Sequence, residues 1–128
     1  MGELIVAVTA EVHHGCLFLE DAHVSGLRHD SWDPAAAQYD VEDDSVAFSV
    51  QPSVDGPVTV RVWRGEPGPE AAAMPYFSGV LRGVSGRVRL FDADEVVALA
   101  FDLPDGPHPF HVLTDSVEHP ESVDIVFA

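Results

Sequence analysis

The sequence predicts a single all-β domain spanning residues 1–128, an antiparallel β-sandwich of about eight or nine strands with a small β-barrel as the alternative. Three observations carry this. Short apolar or alternating segments recur along most of the chain, clusters of Gly, Pro and Asp separate them, and helical periodicity is sustained nowhere. A chain of 128 residues also has surface enough to bury for one core and little left for a second.

Taken in order, residues 4–8 and 16–20 are the first two strand segments, and His13-His14-Gly15 between them suits the turn of an opening hairpin. Val46, Phe48 and Val50 alternate with Ala47 and Ser49, which marks a strand with one buried face. Val58, Val60 and Val62 then alternate with Thr59, Arg61 and Trp63 after a Pro52-Ser53-Val54-Asp55-Gly56-Pro57 turn, and this pair is the clearest hairpin-like unit. Residues 77–82 and 87–91 form the next pair across Gly83-Val84-Ser85-Gly86. Residues 96–102, apolar on both faces, read as a central strand that Leu103-Pro104-Asp105-Gly106-Pro107 closes. Segments at 110–113 and 123–127 complete the set, and Glu70-Ala71-Ala72-Ala73-Met74 offers one helical turn ended by Pro75. Trp63 shares the face of Thr59 and Arg61, so it is either covered by a second layer or exposed as an aromatic-Arg interaction patch.

Charge is the strongest functional signal. Twenty-two acids stand against six arginines and no lysine, a net charge of −16. Residues 1–57 carry a net −10 and residues 92–128 a net −9, while 58–91 are net basic at +3. Such a surface disfavours nucleic acid and anionic membranes and favours a basic protein partner or a divalent cation; high negative charge also serves solubility alone. The longest apolar run, residues 96–101, is far short of the ~20 residues of a membrane span. Glu3 stands where a signal peptide carries basic residues, so the expected location is the cytoplasm.

Residues 21–45 are poor in strand signal and hold Arg28-His29-Asp30-Ser31-Trp32-Asp33-Pro34, and a loop of this length in a compact domain is where a site is expected. Asp40-Val41-Glu42-Asp43-Asp44 and Asp92-Ala93-Asp94-Glu95 are the densest carboxylate runs. Oxygen ligands at alternate positions suit calcium, but neither run has the glycine of an EF-hand loop. The expected partner-binding residues are therefore Trp32, Asp33, Asp40, Glu42, Asp43, Asp44, Asp92, Asp94 and Glu95. His13, His14, His23, His29, His108, His111 and His119 match no zinc spacing and read as surface histidines in turns; His13 and His14 would point to opposite faces if they lay in a strand. Cys16 cannot form an internal disulfide and reads as an inert thiol. No Gly-x-Ser-x-Gly elbow or phosphate loop occurs, so no catalytic residue, metal ligand or cofactor is assigned.

The order of landmarks resembles the competence protein J family of small bacterial β-sandwich nuclease inhibitors. The likeness lies in the Gly-turn segment Val12-His13-His14-Gly15-Cys16-Leu17-Phe18-Leu19, the Trp32-Asp33 loop, Val46-Ala47-Phe48, Thr59-Val60-Arg61-Val62, Gly65-Glu66-Pro67 and the Leu103-Pro104-Asp105-Gly106 turn. The resemblance departs after that turn, where this chain continues through residues 110–128, and no family site residue is carried over. It implies a non-catalytic inhibitor or immunity protein that presents carboxylates to a basic nuclease or toxin. The alternatives are a divalent-cation-binding sandwich, calcium first and zinc second, and a structural or self-assembly subunit.

Overall fold

The computed structural model describes residues 2–128. It is the expected all-β sandwich, with ten strands: β1 Glu3–Ala10, β2 Cys16–Asp21, β3 Tyr39–Val41, β4 Ser45–Ser49, β5 Val58–Arg64, β6 Met74–Val84, β7 Arg87–Phe91, β8 Ala98–Asp102, β9 Gly106–Thr114 and β10 Ser122–Phe127. Two five-stranded sheets face each other, the first in the order β1-β5-β10-β9-β6 and the second in the order β3-β4-β2-β7-β8. The β5-β10 pair is parallel and the other pairs are antiparallel. Alternate side chains of both sheets meet between them, with Leu17, Leu19, Phe48, Leu81, Leu90, Ile125 and Phe127 fully buried. No helix among the described residues is long and apolar enough to cross a membrane.

The three expected hairpins are instead crossings between sheets. β1 and β2, β4 and β5, and β6 and β7 belong to different sheets, and the step from β8 to β9 crosses as well. A glycine at positive φ stands at each crossing: Gly15, Gly56, Gly86 and Gly106. At Gly15 the requirement is plain, since φ is +66° and a Cβ would sit 3.1 Å from the Val50 carbonyl oxygen. Two strands facing each other across a core carry the same alternation as two strands side by side in one sheet. Turn chemistry is shared too, so the sequence pattern suits both arrangements. The hairpins that do form are β3-β4, β7-β8 and β9-β10.

Two further expectations are corrected. The 96–102 segment supplies β8, an edge strand in which Ala98 and Ala100 are exposed and Phe101 is buried; its alanines are small enough to face water at little cost. The strands buried on both faces are β10, where every residue from Val123 to Phe127 is buried, and β4, where every residue from Ser45 to Ser49 is. The helical turn at 70–74 does not form. Met74 opens β6, and Ala72 donates its backbone N–H to Asp124 Oδ2 at 2.8 Å.

That contact belongs to a charged cluster on the outer face of the first sheet. Asp124, 0% exposed, also accepts from Trp63 Nε1 at 2.7 Å and from Arg61 Nε and Nη2 at 2.8 and 3.2 Å. The hydrogen bond and the charge of Asp124 push the Arg61 guanidinium further toward its protonated form. Trp63, 4% exposed, is thus covered rather than an open patch.

Candidate functional site

The outer face of the second sheet is where the long loop lies. Strand parity sends Leu17 and Leu19 of β2 into the core and turns Phe18 and Glu20 outward. On the neighbouring strands the register brings Ser45 of β4 beside Glu20, and Phe91 and Arg89 of β7 beside Phe18 and Glu20. Asp40 of β3 faces the same way, paired with Ala47. The connection from β2 to β3, residues 22–38, packs over this surface.

The loop is tied down at three points. Arg28 donates Nε and Nη2 to the two oxygens of Asp44, both at 2.9 Å. This hydrogen-bonded pair holds the Asp44 carboxyl below the usual carboxylate range, against the opposing effect of partial burial. Trp32 donates Nε1–H to the Ala37 carbonyl at 2.8 Å and sets its ring edge-on to that of His29. Asp33 accepts from the Ala35 N–H and so shapes the turn into the alanine run.

The third point is His29, which lies in the left-handed region at φ 61° with its side chain 2% exposed. Its Nδ1 is 2.7 Å from Asp40 Oδ2 and 3.3 Å from Glu42 Oε2, and its backbone N–H donates to the same Glu42 oxygen at 2.6 Å. Its Nε2 is 2.8 Å from Ser45 Oγ, and the Ser45 hydroxyl donates to Glu20 Oε1 at 2.9 Å. His29 is therefore no surface histidine. Asp40, His29 and Ser45 lie in the order of a nucleophilic triad, but Ser45 is 0% exposed and its proton is committed to Glu20. This line of residues is a fastening, not an activated nucleophile.

Beside the fastening opens a cleft of about 280 Å³ whose walls include Phe18, Leu27, Arg89 and Phe91. Phe18 and Phe91 stack at 5.4 Å, the Arg89 guanidinium lies 4.5 Å over the Phe91 ring, and Arg89 Nη2 is 3.3 Å from Glu20 Oε2. Leu27 is 85% exposed at the rim. Cation, aromatic face and apolar rim thus adjoin one another in an otherwise acidic molecule.

The two acidic runs stand at opposite ends of β2. Asp44 accepts the Asp21 N–H at one end, while the loop after Phe91 reaches His13 and His14 before the other. Six residues of strand separate them, on the order of 15–20 Å. Within the first run Asp43 is exposed, while Asp40, Glu42 and Asp44 serve the loop. Within the second, Asp94 and Glu95 are exposed, but Asp92 is 1% exposed and accepts the Val97 N–H at 2.8 Å. His13 and His14 occupy a turn rather than a strand, and both face Asp94 Oδ2, at 3.2 and 3.3 Å. Glu20, Ser45, Arg89 and the Phe18-Phe91 pair were not among the expected site residues. Their one sequence signal is an aromatic at an outward strand position, which implies a layer above it.

Neither protein-family models nor curated proteins match this sequence. Among solved structures, ComJ from Bacillus subtilis, inhibitor of the DNA degrading activity of NucA, superposes with a TM-score of 0.73 at 12% identity over 99% of this chain and 97% of that one. The product of crocagin biosynthetic gene J superposes with a TM-score of 0.58 at 15% identity over the same shares. The likeness runs the length of both chains, so the expected departure after the Leu103-Pro104-Asp105-Gly106 turn does not occur: β9 and β10 belong to the shared architecture. This chain has the ComJ-like β-sandwich fold.

Proposed function

We propose that this protein is a non-catalytic binding module that inhibits a basic nuclease or toxin through the loop-covered outer face of its second sheet. The observation that carries the reading is the net charge of −16 together with exposed carboxylates at both ends of that face. Four of the six arginines are already engaged with Asp44, Asp124, Asp102 and Glu20, so few cations remain to offset the field. ComJ, which shares the fold, is a nuclease inhibitor. An acidic face competes for the groups a nuclease uses on phosphates, and steering of opposite charges speeds association by ~10–1,000-fold at low salt.

The two acidic ends fit beneath one partner, because a standard interface covers ~800 Å² per side. The central cleft with Leu27, Phe91 and Arg89 would then supply the apolar contact that sustains the complex once formed. Asp33, Asp43, Asp94 and Glu95 are the outward carboxylates of this reading; Trp32, Asp40, Glu42, Asp44 and Asp92 shape the loops that present them.

The test begins with affinity capture from source cells at low salt and identification of any retained nuclease. Inhibition of that nuclease is then compared between wild type and Asp33→Lys/Asp43→Lys/Asp94→Lys/Glu95→Lys. The association rate should fall at least about tenfold at 50 mM salt and far less at 500 mM, where the Debye length is only ~4 Å. Capture of no nuclease, or equal inhibition by the reversed variant, rejects the proposal.

A further inference from the structure

We propose that His29, Asp40 and Glu42 form a binding site for one divalent cation of the zinc class. Their donor atoms, His29 Nδ1 and one oxygen of each carboxylate, all lie within 4.8 Å of one another. Of the two distances from Nδ1, 3.3 Å to Glu42 matches and 2.7 Å to Asp40 falls short of the ~3.3 Å that separates ligands around a tetrahedral zinc with bonds of about 2.0–2.1 Å. Small side-chain movements would admit the ion.

Hydrogen-bond bookkeeping around the ring points the same way. The single Ser45 hydroxyl proton goes to Glu20, so Ser45 Oγ can only accept from His29, and Nε2 must carry a proton. Nδ1 is then left facing two carboxylates, and only a second proton or a cation can stand between them. An imidazole whose far nitrogen is locked onto a hydroxyl-carboxylate pair is the arrangement by which proteins orient a metal-binding histidine. Here Glu20 and Ser45 supply that outer support.

Charge decides between the occupants. Glu20, Asp40, Glu42 and Asp44 bring four negative charges into contact with this loop, and Arg28 and Arg89 return two. One proton on Nδ1 covers half of the deficit; one dication covers all of it. The carboxylate side chains are 36% and 38% exposed, so the site opens to water on one side and leaves room for a solvent ligand. The imidazole favours zinc over calcium, which takes six to eight oxygens. The bound ion would pin residues 22–38 to the β3-β4 hairpin.

Zinc binding is measured on protein stripped with EDTA, in the variant His13→Ala/His14→Ala, which removes the exposed histidine pair at Asp94. One equivalent of Zn²⁺ should bind, raise Tm and move the His29 Nδ1 resonance in ¹⁵N spectra. Asp40→Asn/Glu42→Gln in the same background should weaken binding by more than about tenfold. An unmoved His29 resonance at saturating Zn²⁺ overturns the site, whether or not zinc binds elsewhere. Equal affinity in the carboxamide variant does the same. The resonance is read with every proposed ligand intact, so a folding defect in the carboxamide variant leaves the test decisive.

Discussion

Replacing Asp124 by Asn exposes how strongly the first sheet depends on one buried carboxylate. The side chain is fully enclosed and accepts from Arg61 twice, from the Trp63 indole and from the Ala72 backbone. Asn keeps one accepting oxygen, turns a donor toward donors and leaves the Arg61 guanidinium, 17% exposed, without its counter-charge. Breaking one partner of a buried pair costs about 3–5 kcal/mol. A chain of 128 residues unfolds with an entropy of about 270 cal/mol/K near 60 °C, so a loss of about 4 kcal/mol lowers Tm by about 15 °C. Calorimetric melts of Asp124→Asn at neutral pH should show that drop. Adding Arg61→Met should recover about 1–2 kcal/mol, because it removes the orphaned charge. A fall below about 5 °C, or no recovery in the double variant, would refute the account of Asp124 as the hub.

Two pH effects follow from the same kind of reasoning. The Asp44 carboxyl is held below its ordinary value by the hydrogen bond from Arg28, so its stabilisation is present above the unfolded value of ~3.9 and lost as pH falls through the lower folded value. Asp21 moves the same way: burial pushes it up, but bonds from Ser85 and the His23 N–H outweigh that. Tm measured across the acid range should therefore decline less steeply in Asp44→Asn than in wild type, and coincident slopes would reject the argument. At the other extreme, burial, reinforced by any charge on Cys16, pushes the Tyr76 phenol up to about 12. Its contribution is present below the unfolded value of ~10 and lost as pH rises through about 12. Ultraviolet titration should find a late-ionising phenol that Tyr76→Phe lacks; no such phenol in wild type would sink the prediction.

The all-β class was legible because alternation at Val46-Phe48-Val50 and Val58-Val60-Val62 records one buried face directly. Partner strands were not legible. Gly15, Gly56 and Gly86 announce a change of direction without saying whether the chain turns beside itself or crosses a core. The run at 96–102 misled because alanine counts as apolar yet tolerates water, whereas Asp124 hid the truly central strand behind a charge that only three-dimensional neighbours neutralise. At the candidate site the loop itself was visible from its lack of strand signal. The burial of His29 was not, since it depends on Ser45, Asp40 and Glu42 arriving from a hairpin eleven to sixteen residues downstream.

Placing the tenth strand in the middle of the first sheet has a consequence for biosynthesis. β5 and β9, already made, hold their facing edges open until β10 emerges to join them, in parallel with one and antiparallel with the other. The first sheet cannot close while the nascent chain stops short of residue 122, so its folding waits until residues 122–127 have emerged. During that interval two unpaired strand edges are exposed to other chains. The acids of residues 1–57, synthesised before the rest of the domain, give the waiting chain a charge that repels its neighbours.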